Sequence, residues 1–187
     1  MIDSPARDAG RSTGSSTLVL GLGTPLMADD GLGLACLERL RAEWRFFPAV
    51  DLVDGGTWGM NLLGLIEDAE RLLILDAIHA GREPGSLVVL RGEELPRYLF
   101  TKVSPHQVDL REVLALAEFR GSLPAQTVAV GLEPARVEMS SELSPIVQAN
   151  LSLVEEEALR ILGAWGHRGL RVTAPPVSRP LGRLIDA

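Results

Sequence analysis

Cysteine is nearly absent from this chain of 187 residues, where Cys36 stands alone. An internal disulfide and a multi-cysteine metal site are thereby excluded, which suits a reducing compartment. Cys36 falls in the apolar-rich run GLGLACLERL, so it reads as a packed residue rather than a nucleophile. Positive charge is also short: Lys+Arg 18 against Asp+Glu 25 gives a formal net charge of -7. That balance argues against a general affinity for nucleic acid or for anionic membranes. No apolar run reaches the length of a membrane span, and the polar start MIDSPARDAGRSTGSS has none of the apolar centre of a signal peptide. The expectation is a cytoplasmic, soluble protein. The chain also lacks a GK[ST] phosphate loop and any internal repeat.

What the sequence does have is core material. With 46% hydrophobic residues, one domain can bury a sizeable interior. The runs at 17–22, 49–54, 71–78, 86–91 and 126–131 read as strands, several apolar enough to be buried on both faces. Leu34, Leu37 and Leu40 recur at helical spacing within Leu32 to Arg45, as do Met60, Leu63 and Ile66. Ser104-Pro105 and Ser144-Pro145 each set a capping hydroxyl before a first-turn proline, which predicts helices running to about Phe119 and Leu162. Strands alternating with helices predict a three-layer α/β sandwich. Its mostly parallel central sheet has about five strands, flanked by helices on both faces, and ligands collect at the carboxyl ends of the strands. Residues 1–16 and 165–187 lack apolar periodicity and read as a disordered start and a loose Pro/Arg-rich tail around a domain at 17–164.

The stretch GLGTPLMADDGLGL, residues 21–34, admits two readings. As a dinucleotide fingerprint it has Gly21-x-Gly23 in the right context and Asp54 at the end of the next strand. The third glycine is missing, since position 26 is leucine, and Asp29 and Asp30 would repel a pyrophosphate. GRSTG at 10–14 matches a nucleophile elbow by letter only, because Ser12 precedes the first strand. The acids remain. Asp29-Asp30, DGGT at 54–57 and Asp76 all stand at or just past strand ends, where burying a carboxylate is costly without a cation, a helix terminus or a proton to answer to. On spacing alone an N-cap serves as well as a ligand for Asp30, and a loop-capping role is open for Asp76. His106 in SPHQ, in the first turn of a helix, is the best third donor, although an exposed surface histidine is the more ordinary reading. His79 could reach the same region, and His167 lies in the tail.

LVLGLGTPLMADDGLG, DGGTWGMNLLGLI, LLILDAI, SPHQVDLREVLALA and VAVGLEP, in this order, resemble the hydrogenase maturation endopeptidases. Those enzymes trim the large subunit of nickel-iron hydrogenases, and the resemblance covers about Thr17 to Leu162. It implies a triad of two carboxylates and one histidine, which falls on Asp30, Asp76 and His106 as both metal-contacting and catalytic groups. It also implies substrate recognition by Asp54, Gly55 and Gly56. The partner implied is a nickel-iron hydrogenase large-subunit precursor that brings its own nickel. Two departures stand out: Thr24-Pro25 replaces a frequent asparagine, and Asp30 stands where many members carry glutamate. The alternatives are a maturation partner that holds the subunit without cutting it, and a nucleotide-binding α/β protein.

Overall fold

The computed structural model describes residues 16–56, 59–92, 94–95 and 108–172. In chain order the elements are β1 (Thr17–Gly21), α1 (Leu32–Glu43), β2 (Trp44–Phe47), β3 (Asp51–Asp54), α2 (Leu63–Asp68), β4 (Arg71–Ala77) and β5 (Leu87–Arg91). They continue with α3 (Val108–Phe119), β6 (Gln126–Leu132), α4 (Pro145–Ala164) and β7 (Arg168–Arg171), and short 3-10 turns occupy Ala28–Gly31 and Gly59–Leu62. Five strands form one sheet in the order β3-β1-β4-β6-β5. All neighbours in it are parallel except the β5 and β6 pair.

The apolar strands divide their side chains between two cores, as the pleat requires. Val19, Leu73, Leu75, Val128 and Val130 pack with α1 and α4 on one face. Leu18, Leu20, Leu72, Ile74 and Ala129 pack with α2 and α3 on the other. Both faces are covered, which is why these strands are continuous apolar runs rather than alternating ones. Each fully buried leucine or isoleucine here contributes roughly 1.5–3 kcal/mol. α1 buries Leu32, Gly33, Cys36, Leu37 and Leu40, one stripe of the helix. Burial, with the Glu155 carboxylate second, pushes the Cys36 thiol up to about 12 against a smaller opposing effect of Arg39, so Cys36 is inert packing.

The chain leaves β1 toward β3 on one side, then crosses to β4 on the other, so the topological switch lies between β1 and β4. On the open edge of β3, the Arg41 guanidinium donates to the Leu52 carbonyl at 2.8 Å. Among the described residues no helix is long and apolar enough to cross a membrane.

Two sequence expectations are corrected. The helix expected to reach Arg45 stops at Glu43, because Trp44 turns extended (φ -130, ψ 149) and starts β2. The tail expected to be loose from residue 165 is ordered through Val172, since β7 pairs antiparallel with β2 from Trp44↔Arg171 to Phe47↔Arg168. His167 is buried just before it, with Nδ1 2.8 Å from the Pro48 carbonyl and Nε2 2.8 Å from Thr17 Oγ1. The carbonyl can only accept, so Nδ1 carries the proton and Nε2 accepts from the threonine hydroxyl. The remaining tail, 173–187, and residues 1–15 lie outside the described residues.

Candidate active site

The turn after β1 is built by backbone contact. Gly23 has φ 102, and a Cβ there would stand 1.7 Å from the Asp30 carbonyl oxygen. Only glycine permits both that conformation and that approach. The turn then passes through Ala28 at φ 49, a left-handed conformation that costs a residue with a Cβ roughly 1–2 kcal/mol. Asp29 and Asp30 follow, both buried. The N-cap of α1 is Gly31 and no side chain caps it, so the capping alternative for Asp30 is removed. Instead Asp30 Oδ2 accepts the Thr24 N–H at 2.8 Å, which fixes its carboxylate across the mouth of the turn.

Asp29 has a different task. Its Oδ2 accepts from the N–H groups of Ala135 at 2.8 Å and Arg136 at 3.0 Å, and its Oδ1 from that of Ser144 at 2.6 Å. A carboxylate taking three backbone donors is a structural tie, here between the turn, the segment after β6 and the start of α4. Ser144 occupies the N-cap of α4 as its sequence suggested, but its hydroxyl makes no capping hydrogen bond.

Asp76 is buried one residue before the end of β4, in register with Gly131 of β6. A Cβ at Gly131 would stand 1.7 Å from the Asp76 carbonyl oxygen, so this neighbour too is glycine for want of room. On the other side the Leu22 N–H donates to the Leu75 carbonyl at 2.9 Å, extending the β1 to β4 pairing up to the residue before Asp76. The turn that carries Asp30 therefore leaves the sheet beside Asp76, at the switch point. The third strand end joins them: Gly55 N donates to the Gly21 carbonyl at 2.9 Å, while Asp54 Oδ1 accepts the Gly56 N–H at 2.9 Å and shapes the turn. Asp30, Asp76 and the Asp54-Gly55-Gly56 turn thus share the carboxyl ends of three adjacent strands.

His106 lies outside the described residues. Among the described residues no group of three or more His, Cys, Asp or Glu side chains could hold a metal ion. His167 is excluded as the missing donor because it is bonded to Thr17, at the opposite end of β1 from Asp30. His79 is turned to Glu133, with Nδ1 3.6 Å from Oε1.

Glu133 is a residue the sequence reading passed over. It is buried directly after β6, and its Oε2 accepts the N–H groups of Ala80 at 2.7 Å and Arg82 at 3.1 Å. Its own N–H and carbonyl bond Ser86 at 2.9 Å and Gly85 at 2.7 Å. It therefore shapes the whole loop that follows Asp76. The available signal was the one used for Asp76, an acid at the end of an apolar strand.

The family model described as hydrogenase maturation protease matches residues 34–161. The chain belongs to the hydrogenase maturation protease family. It is a peptide hydrolase of that kind. Among relatives, the hydrogenase expression/formation protein HupD of Rhodobacter capsulatus is 40% identical over 152 residues, covering 80% of this chain and 72% of the relative. The hydrogenase 2 maturation protease of Escherichia coli is 37% identical over 150 residues, covering 80% of this chain and 92% of that protein. The solved hydrogenase maturating endopeptidase HybD from E. coli superposes with a TM-score of 0.79 at 35% identity, over 83% of this chain and 97% of that one. Its counterpart from Thermococcus kodakarensis gives 0.64 at 28% identity, over 78% and 98%.

Proposed function

We propose that this maturation protease removes the C-terminal extension of a nickel-iron hydrogenase large-subunit precursor after nickel insertion, detecting the substrate's nickel with Asp30, Asp76 and His106. The observation that carries the reading is the pairing of two buried carboxylates, Asp30 and Asp76, at the switch point between β1 and β4. Carboxylates gathered at strand ends are suitable oxygen ligands for a divalent cation that arrives with the substrate. Carboxylate oxygen with imidazole nitrogen suits nickel, and an incomplete protein donor set leaves coordination positions to the precursor's own ligands. The metal is thus part of the substrate, and its presence licenses the cut. Asp54, Gly55 and Gly56 border the same strand ends, where the incoming chain is recognised. The protein itself is placed in the cytoplasm, and its formal net charge of -7 disfavours nucleic acid and anionic membranes as partners.

The test is cleavage of purified precursor, with and without nickel, read as the C-terminal mass of the large subunit. The reading requires cutting of loaded precursor and none of unloaded precursor. His106→Ala must abolish cutting without lowering the melting temperature, whereas His79→Ala must leave it intact. Equal cutting with and without nickel overturns nickel detection, and binding without any cutting would favour a holding partner.

A further inference from the structure

Beside Asp30 the surface carries apolar side chains that nothing in the fold requires. Leu26 is 66% exposed, Met139 90% and Val137 42%. Two chain segments bring them together. Met27 and Ser140 form a parallel bridge, in which Ala28 N donates to the Ser140 carbonyl at 2.7 Å and Ser140 N to the Leu26 carbonyl at 3.0 Å. Leu26 and Met139 each immediately precede a bridged residue, so the bridge brings these two exposed side chains into one neighbourhood. Val137, also exposed, lies two residues before Met139 in the same segment. Asp29 N also donates to the Arg136 carbonyl at 3.3 Å.

This rim is held rather than floppy. The Asp29 carboxylate grips the Met139 segment on both sides, at Ala135 and Arg136 before it and at Ser144 after it. A surface fixed in advance loses less freedom on binding than a loose loop would. Its charges are already spent on one another: Arg136 pairs with Glu138 at 3.0 Å and reaches the Glu142 carbonyl at 3.4 Å. What the rim offers a partner is apolar area, with methionine able to adapt to the shape it meets. Its position names the partner, because Leu26 lies in the same turn as Asp30 and a chain delivered to Asp30 runs alongside it.

We propose that Leu26, Val137 and Met139 form a preorganised docking rim for an apolar stretch of the precursor next to its scissile bond. The proposal rests on the processing function above. Steady-state cleavage of nickel-loaded precursor by the full-length chain tests it, comparing wild type with Leu26→Ser, Met139→Ser, the double variant and the control Phe119→Ser, whose side chain is 89% exposed at the end of α3. The double variant is expected to raise KM about tenfold or more while kcat stays within about twofold, and the control to change neither. Met139→Ser keeps the test open should Leu26→Ser weaken folding, since a side chain so exposed has little packing to lose. An unchanged KM in the folded variants overturns the rim while leaving the processing function intact. Failure of the wild type to cut loaded precursor overturns that function, and the occupant with it. A wild-type dimer that the double variant turns into a monomer, with KM unchanged, also overturns the proposal and reassigns the rim to a contact between two copies.

Discussion

Replacing Asp29 and Asp30 separately by asparagine should divide stability from activity, since the two neighbours differ in what their oxygens hold. Asp29 accepts three backbone N–H groups through both oxygens. An amide has one acceptor oxygen. Its best orientation keeps Ala135 and Arg136 on that oxygen and turns the NH2 toward the Ser144 N–H, which loses the 2.6 Å bond and opposes two donors in a buried place. Losing a charge-assisted bond and stranding its donor costs Asp29→Asn about 2–4 kcal/mol. At this chain length that lowers the melting temperature by about 4–15 °C. In Asp30→Asn the amide oxygen can keep the Thr24 N–H, so weakening of that bond costs about 1 kcal/mol or less. Processing should respond in reverse: Asp30→Asn folds yet fails to process nickel-loaded precursor, because a neutral amide is a poor nickel ligand. Asp29→Asn should retain processing well below its lowered melting temperature. Urea denaturation of both variants beside precursor cleavage reads the two effects. An Asp29→Asn protein as stable as wild type, or an Asp30→Asn protein that processes normally, would refute the division of labour.

Three further outcomes are expected. Gly131→Ala forces a Cβ onto the Asp76 carbonyl oxygen and must displace β4 or β6, so it should lower both melting temperature and cleavage; wild-type values for both would refute the contact. Truncation after Ala164 removes β7 and the two bonds of His167, and should be less stable by roughly 2–4 kcal/mol than truncation after Val172; equal urea midpoints would show that the small sheet adds nothing. For Cys36, raised from 9.0 to about 12, the unfolded chain loses its thiol proton first as pH rises, so ionisation favours unfolding. That component is absent below about pH 9 and costs about 1.4 kcal/mol per pH unit above it until pH 12. The Cys36→Ala variant should therefore lose stability less steeply in that range, and equal slopes would exclude the buried thiol as a cause.

The layered fold was legible because its signals are local. A strand buried on both faces must be apolar along its length, as LLIL at 72–75 is, and a covering helix must repeat its leucines, as α1 does. The small sheet was not legible. Trp44 to Phe47 and Arg168 to Arg171 gain their strand character only from each other, across more than half of the chain, and each is only four residues long. Helical period carried the sequence reading past Glu43, and Gly and Arg content made β7 look like tail. At the site, strand-end position singled out Asp29-Asp30 and Asp76 together, and only the family resemblance preferred Asp30 to Asp29. The difference lies in partners more than a hundred residues away, at Ala135, Arg136 and Ser144. Glu133 carried the strand-end signal that marked Asp76 and was still passed over, because the loop it organises is known only once β4 and β6 are neighbours.

The seating of both acids on peptide groups, Asp30 against Gly23 and Asp76 against Gly131, governs how this protein can be engineered. A residue positioned by side-chain packing moves when a neighbour gains or loses a methylene, so its geometry drifts as the interior is redesigned. Peptide planes have fixed dimensions, and a carbonyl pressed on a glycine Cα has nowhere to drift. The two hydrophobic layers can therefore be recomposed extensively for heat resistance while the acids hold their spacing. The same rigidity removes fine adjustment: if the two acids detect nickel as proposed, the workable change is in the reach of the acid itself, one methylene at a time.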